Sequence, residues 1–147
     1  MKAKIQTQLN AQLNREYYAS YLYLAMSAFF EEAGYTGFAA WMRNQCKEEQ
    51  EHMMKIYHYI VDRGGQVVLS DIKAPKFNGK DTLQVIKEAL EHEKKVSDDI
   101  NNLVDLCIQE KDHATHNFLQ WFVSEQVEEE ALFQSIEIRK STRLNSS

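Results

Sequence analysis

Glycine and proline are scarce in this 147-residue chain, which has five glycines and one proline: Gly34, Gly37, Gly64, Gly65, Pro75 and Gly79. All six fall within 34–37 and 64–79. The rest of the sequence contains no strong breaker, which argues against a sandwich or barrel of short strands and favours long helices. Cysteine is limited to Cys46 and Cys107, far apart and in no C-x-x-C pair. Both read as small buried hydrophobes in a reducing compartment. No run of 18 apolar residues occurs, and residues 1–6 carry no apolar signal region. The expectation is a soluble, cytoplasmic protein with no membrane partner. Basic charge is not in excess either. Lys and Arg number 17 against 22 Asp and Glu, a formal net charge of −5, scattered along the chain, which argues against nucleic acid as a partner.

What is present is a folding chain. The hydrophobic share of 44% and aromatic share of 11% are too high for disorder, and the length suits one domain with a full core. Four helical segments are predicted, at 2–33, 37–63, 81–111 and 112–140. Asp81 is a good N-cap with Gln84 three residues on, Asp112 caps the last segment, and Gly64 stands where a C′ glycine ends the second. Each segment carries an apolar stripe at helical spacing. The stripes are Ile5, Leu9, Leu13, Tyr23, Phe30; then Phe38, Met42, Ile56, Tyr59; then Leu83, Ile86, Leu90, Ile100, Cys107; and finally Leu119, Phe122, Phe133, Ile136. The fold class expected is an all-α four-helix bundle. Short breaks at 34–36 and 111–112 predict antiparallel hairpins. The 65–80 connection is long enough to run the length of a bundle, which favours one long crossover between the second and third helices over a floppy hairpin loop.

The stripes are interrupted by polar residues on the apolar face itself. Glu16 continues the line of Leu9 and Leu13. The steps Met42, Gln45, Glu49, His52, Ile56 place a carboxylate and an imidazole inside. Glu93 follows Leu90, and Gln126 and Glu129 lie between Phe122 and Phe133. At 1.5 Å per residue each of these lies near the middle of its helix, so the interruptions converge on one level whichever way the helices run.

A lone E-x-x-H on a helix is ordinarily a solvated pair, and a lone core glutamate ordinarily meets a basic partner. Here the inward positions at that level offer four carboxylates, one histidine and one glutamine, with no basic side chain among them. Buried carboxylates repel one another and cost several kcal/mol each unless a cation holds them. A metal centre removes that conflict, and its oxygen-rich ligands with one imidazole suit Fe(II), Mn or Zn rather than Cu(I). Glu49 with His52 can bind one ion and bridge to a second, Glu16 completing the first site and Glu93 with Glu129 the second. Two adjacent ions can each give one electron to O2 or H2O2. The acidic run Glu125, Glu128, Glu129, Glu130 reads either as a solvated face or, with Glu48, as a third cation site beside the centre. Tyr23, two turns beyond Glu16, reads equally as a packed core tyrosine or a redox side chain. His58, His92, His113 and His116 receive no role, the last two being expected at the surface.

At this point the sequence resembles the non-haem bacterial and archaeal ferritins, from residue 5 to about 140. The resemblance is carried by Asn14-Arg15-Glu16-Tyr17, by Glu48-Glu49-Gln50-Glu51-His52, and by the stretch Asn117 to Glu130, which reads NFLQWFVSEQVEEE. It implies a ferritin-like bundle, ferroxidase activity with O2 or H2O2, and storage of Fe(III) mineral in a homo-oligomeric shell of 24 subunits. It also implies that Glu16, Glu49 and His52 form the first iron site, and Glu49, Glu93 and Glu129 the second, with Gln126 nearby. Glu48, Glu125, Glu128 and Glu129 match a third iron site, and Tyr23 the tyrosine beside the centre. Haem-binding relatives and rubrerythrins carry a second E-x-x-H where this chain reads Gln126-Val127-Glu128-Glu129, and Gln50 stands where a haem-ligating methionine falls, so no haem is expected.

Residues 141–147, Ser-Thr-Arg-Leu-Asn-Ser-Ser, lack an apolar helical pattern and are expected to be a disordered tail, foreign or truncated, in place of the family's short fifth helix. Independently of the resemblance, Tyr17, Tyr18, Tyr21, Leu22, Leu24 and Phe29 make the first helix apolar beyond one stripe. Such a helix requires a second burial surface, expected to be a partner subunit. The readings left open beside a ferritin are a non-cage di-iron or di-manganese oxidase or peroxidase of the same fold, and a structural helical bundle.

Overall fold

The computed structural model describes residues 1–145, with side chains through 140. Four helices account for the secondary structure among the described residues: α1 (Ala3–Glu32), α2 (Thr36–Asp62), α3 (Thr82–Gln109) and α4 (His113–Asn145). Their ends fall within two residues of those predicted for the first three. None is long and apolar enough to cross a membrane. The chain divides into two compact units, Met1–Phe77 and a second beginning at Asn78.

The first unit is the α1–α2 hairpin with the connection that follows it. The turn is set by a Schellman motif: Tyr35 N donates to Phe30 O (2.8 Å) and Gly34 N to Glu31 O (3.1 Å), with Gly34 at φ 83°. The same pairings recur at the end of α2, from Gly65 N to Ile60 O and Gly64 N to Val61 O, with Gly64 at φ 73° as expected of a C′ glycine. The inner stripe is buried as expected at Ile5, Leu9, Leu13, Tyr23, Phe30, Met42 and Ile56. Phe38 and Tyr59 are half-buried, and Phe38 stacks on Phe30 with centroids 5.3 Å apart.

The connection after α2 climbs back along α1. Gln66 N donates to Gln6 Oε1 (3.1 Å). Asn10 grips the chain twice, giving Nδ2 to Gln66 O (2.9 Å) and taking Val68 N on Oδ1 (2.7 Å). Asn14 repeats this with Val68 O and Ser70 N at 3.4 and 3.3 Å. Further on, Lys76 N meets the Tyr18 hydroxyl, and Phe77 packs edge-on to Phe29. From Gln6 to Phe29 the helix rises about 35 Å, and the extended 66–77 segment covers about the same length. This is the long crossover, a strap fixed along α1 rather than a floppy loop.

The second unit is the α3–α4 hairpin. Asp81 accepts from Gln84 N (2.8 Å) at the start of α3, and Asp112 accepts from both Thr115 N (3.0 Å) and Thr115 Oγ1 (2.7 Å) at the start of α4. Between them Lys111 takes the left-handed position, φ 56°, in a third Schellman turn. Ile86, Leu90, Ile100, Cys107, Leu119, Phe122 and Phe133 are buried, while Leu83 and Ile136 are half-buried. Helix α4 continues through Asn145, past the expected end near 140, since neither glycine nor proline occurs after Gly79. The expected disordered tail therefore overlaps helix at 141–145, and Ser146 and Ser147 lie outside the described residues.

Candidate metal centre

In the first unit three donors converge midway along the hairpin. Glu16 of α1 and Glu49 and His52 of α2 are 1%, 2% and 4% exposed. One ligand atom from each lies within 4.8 Å of the other two. His52 Nδ1 faces Glu49 Oε2 at 3.3 Å and Glu16 Oε2 at 3.8 Å. Each donor is inward for the helical reason given by the sequence: Glu49 and His52 are three residues apart, and Glu16 is three beyond Leu13 on the buried stripe.

Glu16 is held by an α1 neighbour. Gln12, fully buried, donates Nε2 to Glu16 Oε1 (3.0 Å) and accepts Arg15 Nε on its own Oε1 (2.9 Å). Burial pushes the Glu16 carboxyl upward. The neighbouring Glu49 and His52 side chains, the charge of His52 and the Gln12 amide outweigh that push, so the group is held below the ordinary carboxylate value. It is thus poised as an anion in a buried place. Its second oxygen, Oε2, is buried and makes no hydrogen bond, with His52 Nδ1 3.8 Å away. An imidazole nitrogen with two carboxylates is a donor set that fits a hard or borderline divalent cation such as Fe(II), Mn(II) or Zn(II).

In the second unit Glu93, Gln126 and Glu129 are buried at 1%, 5% and 5% exposure. Gln126 joins α4 to α3. Its Nε2 reaches Glu93 Oε2 (3.1 Å), Glu93 O (3.1 Å) and Ser97 Oγ (3.2 Å). The Ser97 hydroxyl in turn reaches Glu130 Oε2 (2.5 Å).

Of the remaining expected residues, Tyr23 is fully buried in the first unit. Glu48 is half-buried, accepting from Asn44 Nδ2 (3.2 Å). Glu125 is half-buried, and Glu128 is exposed on α4. His113 is exposed and His116 half-buried. Sequence reasoning missed Gln12 and Ser97. The available signal was their i,i+4 spacing to Glu16 and Glu93, but such spacing is shared by many solvated polar pairs.

A ferritin-like domain model matches residues 6–138, about nine-tenths of the chain. The chain belongs to the ferritin family. A bacterial non-heme ferritin of Staphylococcus epidermidis is 45% identical over 127 residues, covering 86% of this chain and 76% of its own length. One of Staphylococcus aureus is 43% identical over the same shares. Among solved structures, an open-pore ferritin of the hyperthermophilic archaeon Archaeoglobus fulgidus is similar at TM-score 0.92 and 43% identity, covering 93% of this chain and 85% of that one. A Chlorobium tepidum ferritin is similar at TM-score 0.93 and 36% identity, covering 96% and 86%. The fold class of this ferritin is accordingly the all-α four-helix bundle that the breakers and stripes predicted.

Proposed function

We propose that this ferritin takes up Fe(II), oxidises it to Fe(III) at a buried carboxylate–histidine centre, and stores the product as mineral inside a shell of its own copies. The observation that carries the reading is the Glu16–Glu49–His52 triangle, with a buried Glu16 oxygen that makes no hydrogen bond, in a member of the ferritin family.

The triangle's residues bind one Fe(II). Their burial excludes water, and two carboxylates with one imidazole supply negative charge that favours Fe(III) over Fe(II). A second Fe(II) is taken by Glu93 and Glu129 together with Glu49. What supports this is that Glu93 and Glu129 are buried well inside their own helices, where a cation offsets the cost of burying two acids. A pair of ions then delivers two electrons. O2 takes them with two protons and leaves as H2O2, or H2O2 takes them with two protons and leaves as two waters. Glu48, Glu125, Glu128 and Glu129 make a third cation site beside the centre. Tyr23, two turns from Glu16 on the same helix, places an oxidisable phenol in the same core.

Self-assembly is supported by the outer face of the first unit. Tyr17, Tyr21, Leu24 and Leu69 are 40%, 47%, 47% and 73% exposed, and Tyr17 and Leu69 line an open apolar groove with Met53, Met54 and Tyr57. We place the protein in the cytoplasm and its shell at 24 subunits on the family likeness.

Aerobic Fe(II) addition tests the reading, with Fe(III) followed by absorbance and product size by gel filtration. Iron is expected to elute with a large shell rather than with the 17.2-kDa chain. The doubly substituted Glu16→Ala, His52→Ala protein is expected to oxidise Fe(II) no faster than buffer. Oxidation at the unsubstituted rate by a folded double variant overturns the centre.

A further inference from the structure

Two hydrogens and three oxygens meet at Gln126. Its Nε2 carries two N–H groups, yet Glu93 O, Glu93 Oε2 and Ser97 Oγ all lie at 3.1–3.2 Å from it. The backbone oxygen of Glu93 is fixed by α3 and keeps one hydrogen. The other is shared between the Glu93 carboxylate and the Ser97 hydroxyl. Ser97 has a single hydrogen of its own, and the closer acceptor for it is Glu130 Oε2 at 2.5 Å, against 3.1 Å to Glu93 O. With its hydrogen committed to Glu130, the Ser97 oxygen is left as an acceptor facing Gln126.

We propose that Ser97 is a positioning residue for Glu93: it accepts the Gln126 amide hydrogen that the Glu93 carboxylate gives up when that carboxylate turns to a divalent cation. The inference rests on the proposed role of Glu93 as an iron ligand. Ser97 touches no iron. Its effect is to keep a buried N–H satisfied in both positions of Glu93, so that capture of the ion does not orphan a donor inside the hairpin. Glu130 sets the hydroxyl in the accepting orientation. No proton or electron moves in this step; one hydrogen bond is exchanged for another.

Anaerobic titration of the full-length, metal-free protein with Co(II), followed by visible absorption, tests the proposal without relying on oxidation. Ser97→Ala is expected to weaken the Glu93-dependent binding step about tenfold, at the lower end of the effect of losing an outer partner of a metal ligand. Ser97→Thr, which keeps the hydroxyl, is expected to restore it to within about twofold, on the same reasoning. In a Glu93→Ala background Ser97→Ala is expected to change nothing, a cancellation that a general loss of packing would not give. Unchanged binding in Ser97→Ala, failure of Ser97→Thr to restore it, or an equal loss in the Glu93→Ala background overturns the proposal. If Glu93→Ala and Glu49→Ala themselves bind Co(II) like the unsubstituted protein, the proposed iron centre fails instead.

Discussion

Replacing Gln12 by leucine isolates what one amide does for a buried carboxylate. Leucine is close to glutamine in volume, so Gln12→Leu leaves little cavity. What it removes is the 3.0 Å bond from Gln12 Nε2 to Glu16 Oε1, and the acceptor for Arg15 Nε. Arg15 is half-exposed and finds water in exchange; Glu16 is 1% exposed and does not. A hydrogen bond to a charged group is worth about 1.5–3 kcal/mol, which is the expected loss of stability at pH 7. For a chain of this size that corresponds to a melting point lower by roughly 3–12 °C. The pH dependence follows from the direction of the Glu16 shift. Its folded value lies below the ordinary one, so its contribution is present above the unfolded carboxylate value and is lost as pH falls through the lower folded value. Gln12→Leu removes one of the causes that lower it. The gap between the two proteins is therefore full at neutral pH and shrinks, once Glu16 is protonated in both, to the roughly 0.5–1.5 kcal/mol of a neutral hydrogen bond. The assay is thermal unfolding of chelator-treated protein at neutral and acid pH. A melting-point difference that is absent, or the same at both pH values, refutes the reasoning.

Asn10→Ala removes both grips on the strap and is expected to cost about 1–3 kcal/mol, with faster proteolytic cleavage near 66–72 and unchanged helix content by circular dichroism. Lys111→Gly relieves a left-handed residue and should raise stability by about 0.5–1 kcal/mol, the steric relief exceeding the entropy of the added glycine, as read by denaturant titration. Phe30→Ala removes a fully buried ring and its stack on Phe38, at an expected cost of about 3–5 kcal/mol in the same titration. Burial pushes the Cys107 thiol up to about 11, with the Asp112 charge adding to it, and raises Cys46 as well. Both should therefore resist alkylation at pH 8 in the folded protein and react promptly once it is unfolded.

Much of this architecture was legible because helices announce their ends and faces locally. Asp81, Asp112 and Gly64 act through their own backbone neighbours, and the buried stripe from Ile5 to Phe30 needs only the helical period. The same period exposed Glu16, Glu49, His52, Glu93, Gln126 and Glu129, since a polar residue on an apolar face contradicts its surroundings. Gln12 and Ser97 escaped notice because a buried amide and a half-buried hydroxyl look the same in sequence as solvated ones; only their partners distinguish them. The half-burial of Phe38, Leu83 and Ile136 was not legible, because the helical period marks a face and not the depth of cover over it. Helix α4 ran on past 140 because polar composition alone does not stop a helix that meets no breaker.

The amides that hold the strap also set a limit on it. Gln6, Asn10 and Asn14 step along α1 every four residues, about 6.0 Å, while the residues they grip, 66, 68 and 70, step every two in extended chain, about 6.6 Å. Two rulers with unequal divisions can agree over only a few marks. The bonds record the drift: 2.9 and 2.7 Å at Asn10 become 3.4 and 3.3 Å at Asn14, and the next contact skips to Lys76 on Tyr18. A helix can thus template an extended chain for about three rungs and no more. Within those rungs the strap counts residues, so a one-residue insertion between 66 and 70 would throw side chains where carbonyls belong, whereas the 71–75 stretch, beyond the last matching mark, has room to absorb it.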